Sequence, residues 1–270
     1  MVFNRDLAEA SAKKARELIV KMVNAAKASH VGSSLSVVDI LSGLYSGIAD
    51  ISPQNFESDQ RDIVIMSKGH AAAAFYSILH ITGFISADDI DKYGQNGALL
   101  GGHVTSGIPG VELSTGSLGH GLPYGVGIAL ARKNDHKHGR VFVIMSDGEC
   151  DEGTTWESAL LANHHKLDNL VVIVDRNRLQ SLTDTELTLK LEPFSAKWEA
   201  FGWTVREVNG HDVGQLNNAC EASSSPICII ANTTKGKGVS FMENSVLWHY
   251  RTPNNEELID ALKQISVGER

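Results

Sequence analysis

Apolar positions along this chain switch between a helical period and short continuous runs, and each switch marks a change of element. From Arg5 to Ala28 they recur at helical spacing, with Leu7, Ala15, Leu18, Ile19 and Met22 on one face, which predicts an amphipathic helix. Ser36 to Ile48 predicts a second helix. Asp62 to Ser67 (DIVIMS) predicts a short buried strand, closed by Lys68-Gly69-His70. Ala71 to Thr82 is helical, and Ser86 to Tyr93 is a short helix with Ser86 as cap and Asp89 three residues later. Leu99 to Gly121, rich in Gly, Ser and Thr, reads as a long ordered loop, followed by a helix from Leu122 to Arg132. An apolar strand then runs from Val141 into Ser146-Asp147-Gly148. A helical segment follows, and a second apolar strand ends in Asp175-Arg176-Asn177-Arg178-Leu179. Helices at Phe194 to Phe201 and Val213 to Ala222 alternate with strands at Thr204 to Val208 and Ile227 to Asn232. Thr252-Pro253 opens a last helix to Gln264, with Pro at the first helical position and Glu256 and Glu257 in the first turn.

This alternation predicts an α/β fold of three layers, a mostly parallel sheet with helices on both faces. At 270 residues the chain has room for one large α/β domain or two small ones. No repeat, low-complexity segment or linker interrupts it, so residues 1–270 are expected to form a single domain. The formal charge of −8 argues against duplex nucleic acid as a partner. No apolar run approaches the length of a membrane span, and the N-terminus lacks a secretory core. Cys150, Cys220 and Cys228 show no paired metal spacing, which fits a reduced, cytoplasmic setting.

The candidate chemistry begins at Asp147 and Asn177. Both lie at the carboxyl ends of strands joined by one crossover, where parallel sheets bind ligands. A carboxylate and an amide there suit a hard divalent cation bridging to a phosphate. Gly148 would let the phosphate approach the backbone, and the amides of the following turn, from Glu149 on, face it. The same stretch also fits an ordinary strand–turn–helix–strand unit whose Asp caps a helix. Eleven histidines are present. His30, His70, His103, His120 and His249 fall in short Gly-rich or polar contexts that let a ring project into a crowded pocket. His80, His136, His138, His164, His165 and His211 lie in unremarkable helix and turn settings.

Taken in order, SHVGSSLS, SKGH, GGH, STGSLGHG, SDGECDEGTTWE, and TTKGKGVSFMEN followed by WH resemble the motifs of the N-terminal part of transketolase, over nearly the whole chain. The resemblance implies thiamine diphosphate and Mg²⁺ as cofactors. Asp147, Asn177 and the Leu179 carbonyl would hold the metal. His70, His249, Gly116, Ser117, Leu118, Gly148 and Glu149 would contact the cofactor. His30, His103 and His249 would line the donor end of the catalytic site, and Glu152 and Glu157 would belong to a buried acid network between paired active sites. Ser146 stands where the family's motif opens with Gly, and Val31 and Tyr250 replace its Pro and Gly near the donor sugar. The family's pyrimidine-binding domain, with its activating Glu, has no counterpart here. The resemblance therefore implies one half of a split transketolase, working on sugar phosphates or related sugars in a two-plus-two heterotetramer with a C-terminal subunit that carries that domain. A 1-deoxyxylulose-5-phosphate synthase-like or 2-oxo acid dehydrogenase-like subunit stays open, as does a non-catalytic phosphate-binding module.

Overall fold

The structure, a computed structural model, describes residues 2–268. It begins with α1 (Arg5–Ala26), α2 (Val31–Gly43), β1 (Ile63–Met66), α3 (Ala72–Ile81) and α4 (Ala87–Asp91). There follow α5 (Gly121–Asn134), β2 (Val141–Ser146), α6 (Gly153–His164), β3 (Leu170–Arg176) and α7 (Thr185–Thr188). The chain finishes with α8 (Phe194–Ala200), β4 (Thr204–Asn209), α9 (Val213–Ala219), β5 (Ile227–Asn232) and α10 (Asn255–Val267).

The five strands form one sheet in the order β1-β2-β3-β5-β4, and every pairing is parallel. Strands β2 and β3 are buried along their whole length, as continuous apolar runs in a parallel sheet must be. One apolar cluster joins α1, α2, α3, α9 and α10 to one sheet face; a second joins α5, α6 and α8 to the other. Fully buried side chains such as Leu35, Leu41 and Phe142 each contribute roughly 1.5–3 kcal/mol by leaving water.

Several expectations need correction. Leu7 is 52% exposed, because Ala8, Ser11, Ala12, Ala15 and Ile19 occupy the core-facing stripe of α1. Helix α2 starts at Val31 instead of Ser36 and ends in a wider π-helical turn, Leu44–Ile48. Ser33, Ser34 and Ser36 in its first turns are buried, and Ser36 Oγ donates to the Ser33 carbonyl and to Asp175. Val31–Ile48 is 18 residues long and apolar enough by composition to span a bilayer, although no such run was expected; 94% of it is buried inside the fold as a core helix. Helix α10 is capped by Asn254, in a capping box with Glu257, which leaves Pro253 outside the helix.

Candidate functional site

The register of β2 against β3 places Ser146 beside Asp175, so Asp147 and Asn177 leave the sheet side by side at its carboxyl edge. Asp147 is buried; its Oδ2 accepts from the Arg178 amide (2.6 Å) and from Arg176 Nη1 (3.3 Å). Burial pushes its carboxyl up to about 6, although Arg176 pulls the other way. Asn177 Oδ1 accepts the Leu179 amide (3.1 Å), curling the chain so that the Leu179 carbonyl meets Lys235 Nζ at 3.0 Å. Gly148 is not demanded by protein packing: a side chain there would meet only Gln180, at 3.4 Å. Among the described residues no three His, Cys, Asp or Glu gather into a metal cage. A carboxylate, an amide and a carbonyl instead suit a cation whose remaining ligands come from a bound phosphate and water.

Two lysines unforeseen from the sequence complete the floor. Lys68 and Asp175 are a fully buried ion pair, further satisfied by the Ser33 carbonyl and by the hydroxyls of Ser36 and Thr233. Lys235, on the loop after β5, is 1% exposed and donates to the carbonyls of Leu179 and Gln180, with His249 Nδ1 at 3.1 Å. Burial, then Lys68, depress its ammonium to about 8. A Lys opening a Gly-rich loop just past a strand was the available signal, since such loops cradle phosphates.

Above this floor four imidazoles converge from four separate segments. His30 lies 5.4 Å from His70, 5.5 Å from His103 and 5.0 Å from His249, ring centre to ring centre. His30 caps α2 in a left-handed conformation (φ 69°), and its amide donates to the His249 carbonyl at 2.7 Å. Burial, with the neighbouring His103 and lysines, lowers His30 to about 4; burial and Lys235 lower His249 to about 3; His70 falls well below its ordinary value for the same reasons. These three rings are therefore neutral near pH 7. Tyr250, 60% exposed, packs on His249 at 4.7 Å. Val31, next to His30, has its side chain wholly buried in the core.

The loop before α5 is tied to this cluster. The Val104 amide donates to the Gly69 carbonyl, and the Thr115 amide to the Val104 carbonyl. Gly116 has φ +144°, and a side chain there would lie 2.8 Å from the His103 ring, so His103 and the segment Gly116-Ser117-Leu118 share one wall. Glu149 ties that wall to the Asp147 turn. Its carboxylate is buried, accepts from Ser67 Oγ and from the amides of Ser146 (2.9 Å) and Gly119 (3.1 Å), and so pins the loop to the Asp147 turn. Glu152 and Glu157 are exposed on and beside α6.

A parallel α/β domain that gathers a hard-oxygen turn, a buried lysine and a ring of neutral histidines at the carboxyl edge of its sheet defines a binder of a diphosphate-bearing cofactor. The model of the transketolase thiamine diphosphate binding domain matches residues 7–267, and the chain belongs to that family. It is 42% identical over 262 residues to one of the subunits of the apulose-4-phosphate transketolase of Phocaeicola vulgatus, covering 96% of this chain and 93% of the relative. It is 35% identical over 259 residues to the 6-deoxy-6-sulfo-D-fructose transketolase subunit SqwG of a Clostridium species, covering 94% and 92%. The crystal structure of Campylobacter jejuni transketolase superposes with a TM-score of 0.92 at 33% identity, covering 98% of this chain; the chain spans 43% of that longer protein. The residues fit thiamine diphosphate: a buried ammonium, a glycine whose side-chain position meets only Gln180, and neutral His30, His70 and His249 are what a polyanionic, ring-bearing cofactor requires.

Proposed function

We propose that the chain is one subunit of a two-chain transketolase, moving a two-carbon ketol unit from a ketose phosphate or related sugar to an aldose acceptor. The observation that carries this reading is the rim of neutral His30, His70 and His249 above buried Asp147, Asn177 and Lys235. Mg²⁺ is held by Asp147, Asn177 and the Leu179 carbonyl. Lys235, His70 and His249 grip the diphosphate, with Gly148 leaving it room and Gly116-Ser117-Leu118 lying over it. Glu149 acts through the loop it pins. Thiamine diphosphate supplies the nucleophilic carbon when bound. His30 and His249, as neutral imidazoles, and His103 beside them donate to or accept protons from substrate oxygens.

Residues 1–270 work as one diphosphate-binding domain. The partner is a separate C-terminal subunit carrying the pyrimidine domain and its activating Glu, in a two-plus-two heterotetramer. The relatives, themselves named as subunits, support this, as does surface chemistry. Glu152 and Glu157 are exposed, as are Tyr124 on α5 and Leu160 and Leu161 on α6, and Leu182 and Leu187 are 81% and 78% exposed just past the Asn177 turn. Exposed apolar groups in that number are a mark of a protein interface. In the assembly the two glutamates would join the acid network expected between paired sites. Three free, buried cysteines suit the reducing cytoplasm.

The test is reconstitution. The purified chain alone is expected to show no ketol transfer; adding its partner, Mg²⁺ and thiamine diphosphate is expected to restore turnover. Robust activity from this chain alone sinks the two-chain reading. In the assembly, Asp147→Ala is expected to weaken Mg²⁺-dependent cofactor binding on the order of a hundredfold by calorimetry, and unchanged affinity removes the metal assignment.

A further inference from the structure

The loop that carries Lys235 is held from behind by an ion cluster outside the site just described. Asp39, on α2, takes a bidentate pair from Arg16 on α1 (Nη1–Oδ1 3.1 Å, Nη2–Oδ2 2.5 Å). Its Oδ2 also lies 2.7 Å from His211 Nδ1, and the opposite ring nitrogen, Nε2, lies 2.8 Å from the Thr234 amide. An amide nitrogen can only donate, so Nε2 must present its lone pair. Nδ1 then carries the proton, and the Asp39 carboxylate accepts it. Both roles of the ring are thus dictated by its partners. Arg16 reaches the same loop farther along, donating from Nε to the Lys237 carbonyl at 3.3 Å. One carboxylate therefore orients two side chains that grip the loop on either side of Lys235. The loop has little slack between them: the Gly236 amide donates to the Gly32 carbonyl at 3.0 Å, and a side chain at Gly236 would collide with the Met242 carbonyl at 2.3 Å.

We propose that His211 is a positioning residue for the cofactor site: as the Nδ1–H tautomer held by Asp39, it accepts the Thr234 amide on Nε2 and so fixes the backbone that delivers the Lys235 ammonium. The inference rests on the assignment of Lys235 to the diphosphate. It turns a histidine in an ordinary Asn-Gly-His-Asp turn into a strut of the active site, although its ring touches neither cofactor nor substrate.

The test separates the two ring nitrogens. On the isotope-labelled full chain, a long-range nitrogen–proton correlation is expected to show His211 Nε2 unprotonated, and the Thr234 amide is expected to exchange slowly with solvent. His211→Gln places an amide oxygen near the Nε2 position and is expected to keep slow Thr234 exchange and near-native affinity for thiamine diphosphate in the assembly with the partner. His211→Asn reaches only the Nδ1 position, and His211→Phe reaches neither. Both are expected to speed Thr234 exchange and to weaken cofactor binding by about tenfold or more, the loss that goes with one buried donor left without an acceptor. An Nε2–H tautomer in the native chain overturns the proposal, as does cofactor binding by the Asn variant equal to that of the Gln variant. Should His211→Phe fail to fold, the Asn and Gln pair still decides. A native assembly that binds no thiamine diphosphate would count against the functional reading alone, because tautomer and exchange are read on the chain by itself.

Discussion

A buried ammonium with no carboxylate in hydrogen-bond reach costs folding free energy, and among the described residues Lys235 is in that position, with only carbonyls and an imidazole around its nitrogen. Removing the charge while keeping the bulk should therefore relieve the free chain and harm the loaded one. Lys235→Met is expected to leave the thermal midpoint of the free chain unchanged or raised, and to weaken thiamine diphosphate binding in the assembly on the order of a hundredfold. Thermal melts and calorimetry check the pair. A lower midpoint with native affinity would make Lys235 a strut for the Leu179 and Gln180 carbonyls. Residues of this kind were the least legible in the sequence. The histidines next to glycine stood out because that context is unusual for a packed ring. Lys235 lay inside a Gly-rich loop where a lysine is ordinarily solvated, and its burial depends on β5 ending beside β3. Arg176 reads as the polar end of a strand, yet it is buried among Asp147, Glu186 and Glu192. His211 had no local signal, since its partners Asp39 and Thr234 are remote from it in sequence.

Strands were more legible than helix ends. A strand buried on both faces must be apolar throughout, so Ile227–Asn232 and Val141–Ser146 declare themselves. Helix ends depend on caps, and α2 has an unconventional one, a left-handed His30 with no side-chain cap, so its first turn of small residues was invisible. The long loop before α5 was legible as a loop, but its order comes from distant partners: Thr115 Oγ1 donates to the Met66 carbonyl at 2.6 Å and Thr154 Oγ1 to the Gly119 carbonyl at 2.7 Å. Gly116 is where this element meets the site. Gly116→Ala puts a methyl group at φ +144° against the His103 ring, at a cost of about 1–3 kcal/mol in strain. The expected result is a chain that melts several degrees lower and an assembly whose KM for the sugar donor rises more than its Kd for the cofactor. An unchanged donor KM would detach His103 from donor recognition.

Across the whole molecule the site opposes the fold at acid pH. His30, His249 and His70 sit below their ordinary value of about 6.5, chiefly through burial, so the folded chain binds fewer protons than the unfolded one as pH drops below that value. Their contribution to stability is whole above about pH 6.5 and is lost as pH falls, toward about 4 for His30 and about 3 for His249. Asp147 and Glu149 work the other way: burial raises both, so the folded state takes up protons first and gains stability as pH falls, through about 6 for Asp147. Near pH 5.5 three unfolded imidazoles are almost fully protonated, whereas Asp147 is only part-way through its titration, so the histidines outweigh the carboxyls. The free chain is therefore expected to lose thermal stability steadily from about pH 7 to about pH 5, and His30→Phe is expected to flatten that slope by removing one of the three rings. Melting curves of both proteins across this range measure it. A midpoint that rises toward acid would mean that Asp147 and Glu149 dominate and that the rings are better solvated than their packing implies. A slope unchanged by His30→Phe would assign the titration to His249 and His70 alone, because buried Asp39 and Asp175, whose carboxyls Arg16 and Lys68 pull down against burial, lose their stabilising charge only in stronger acid.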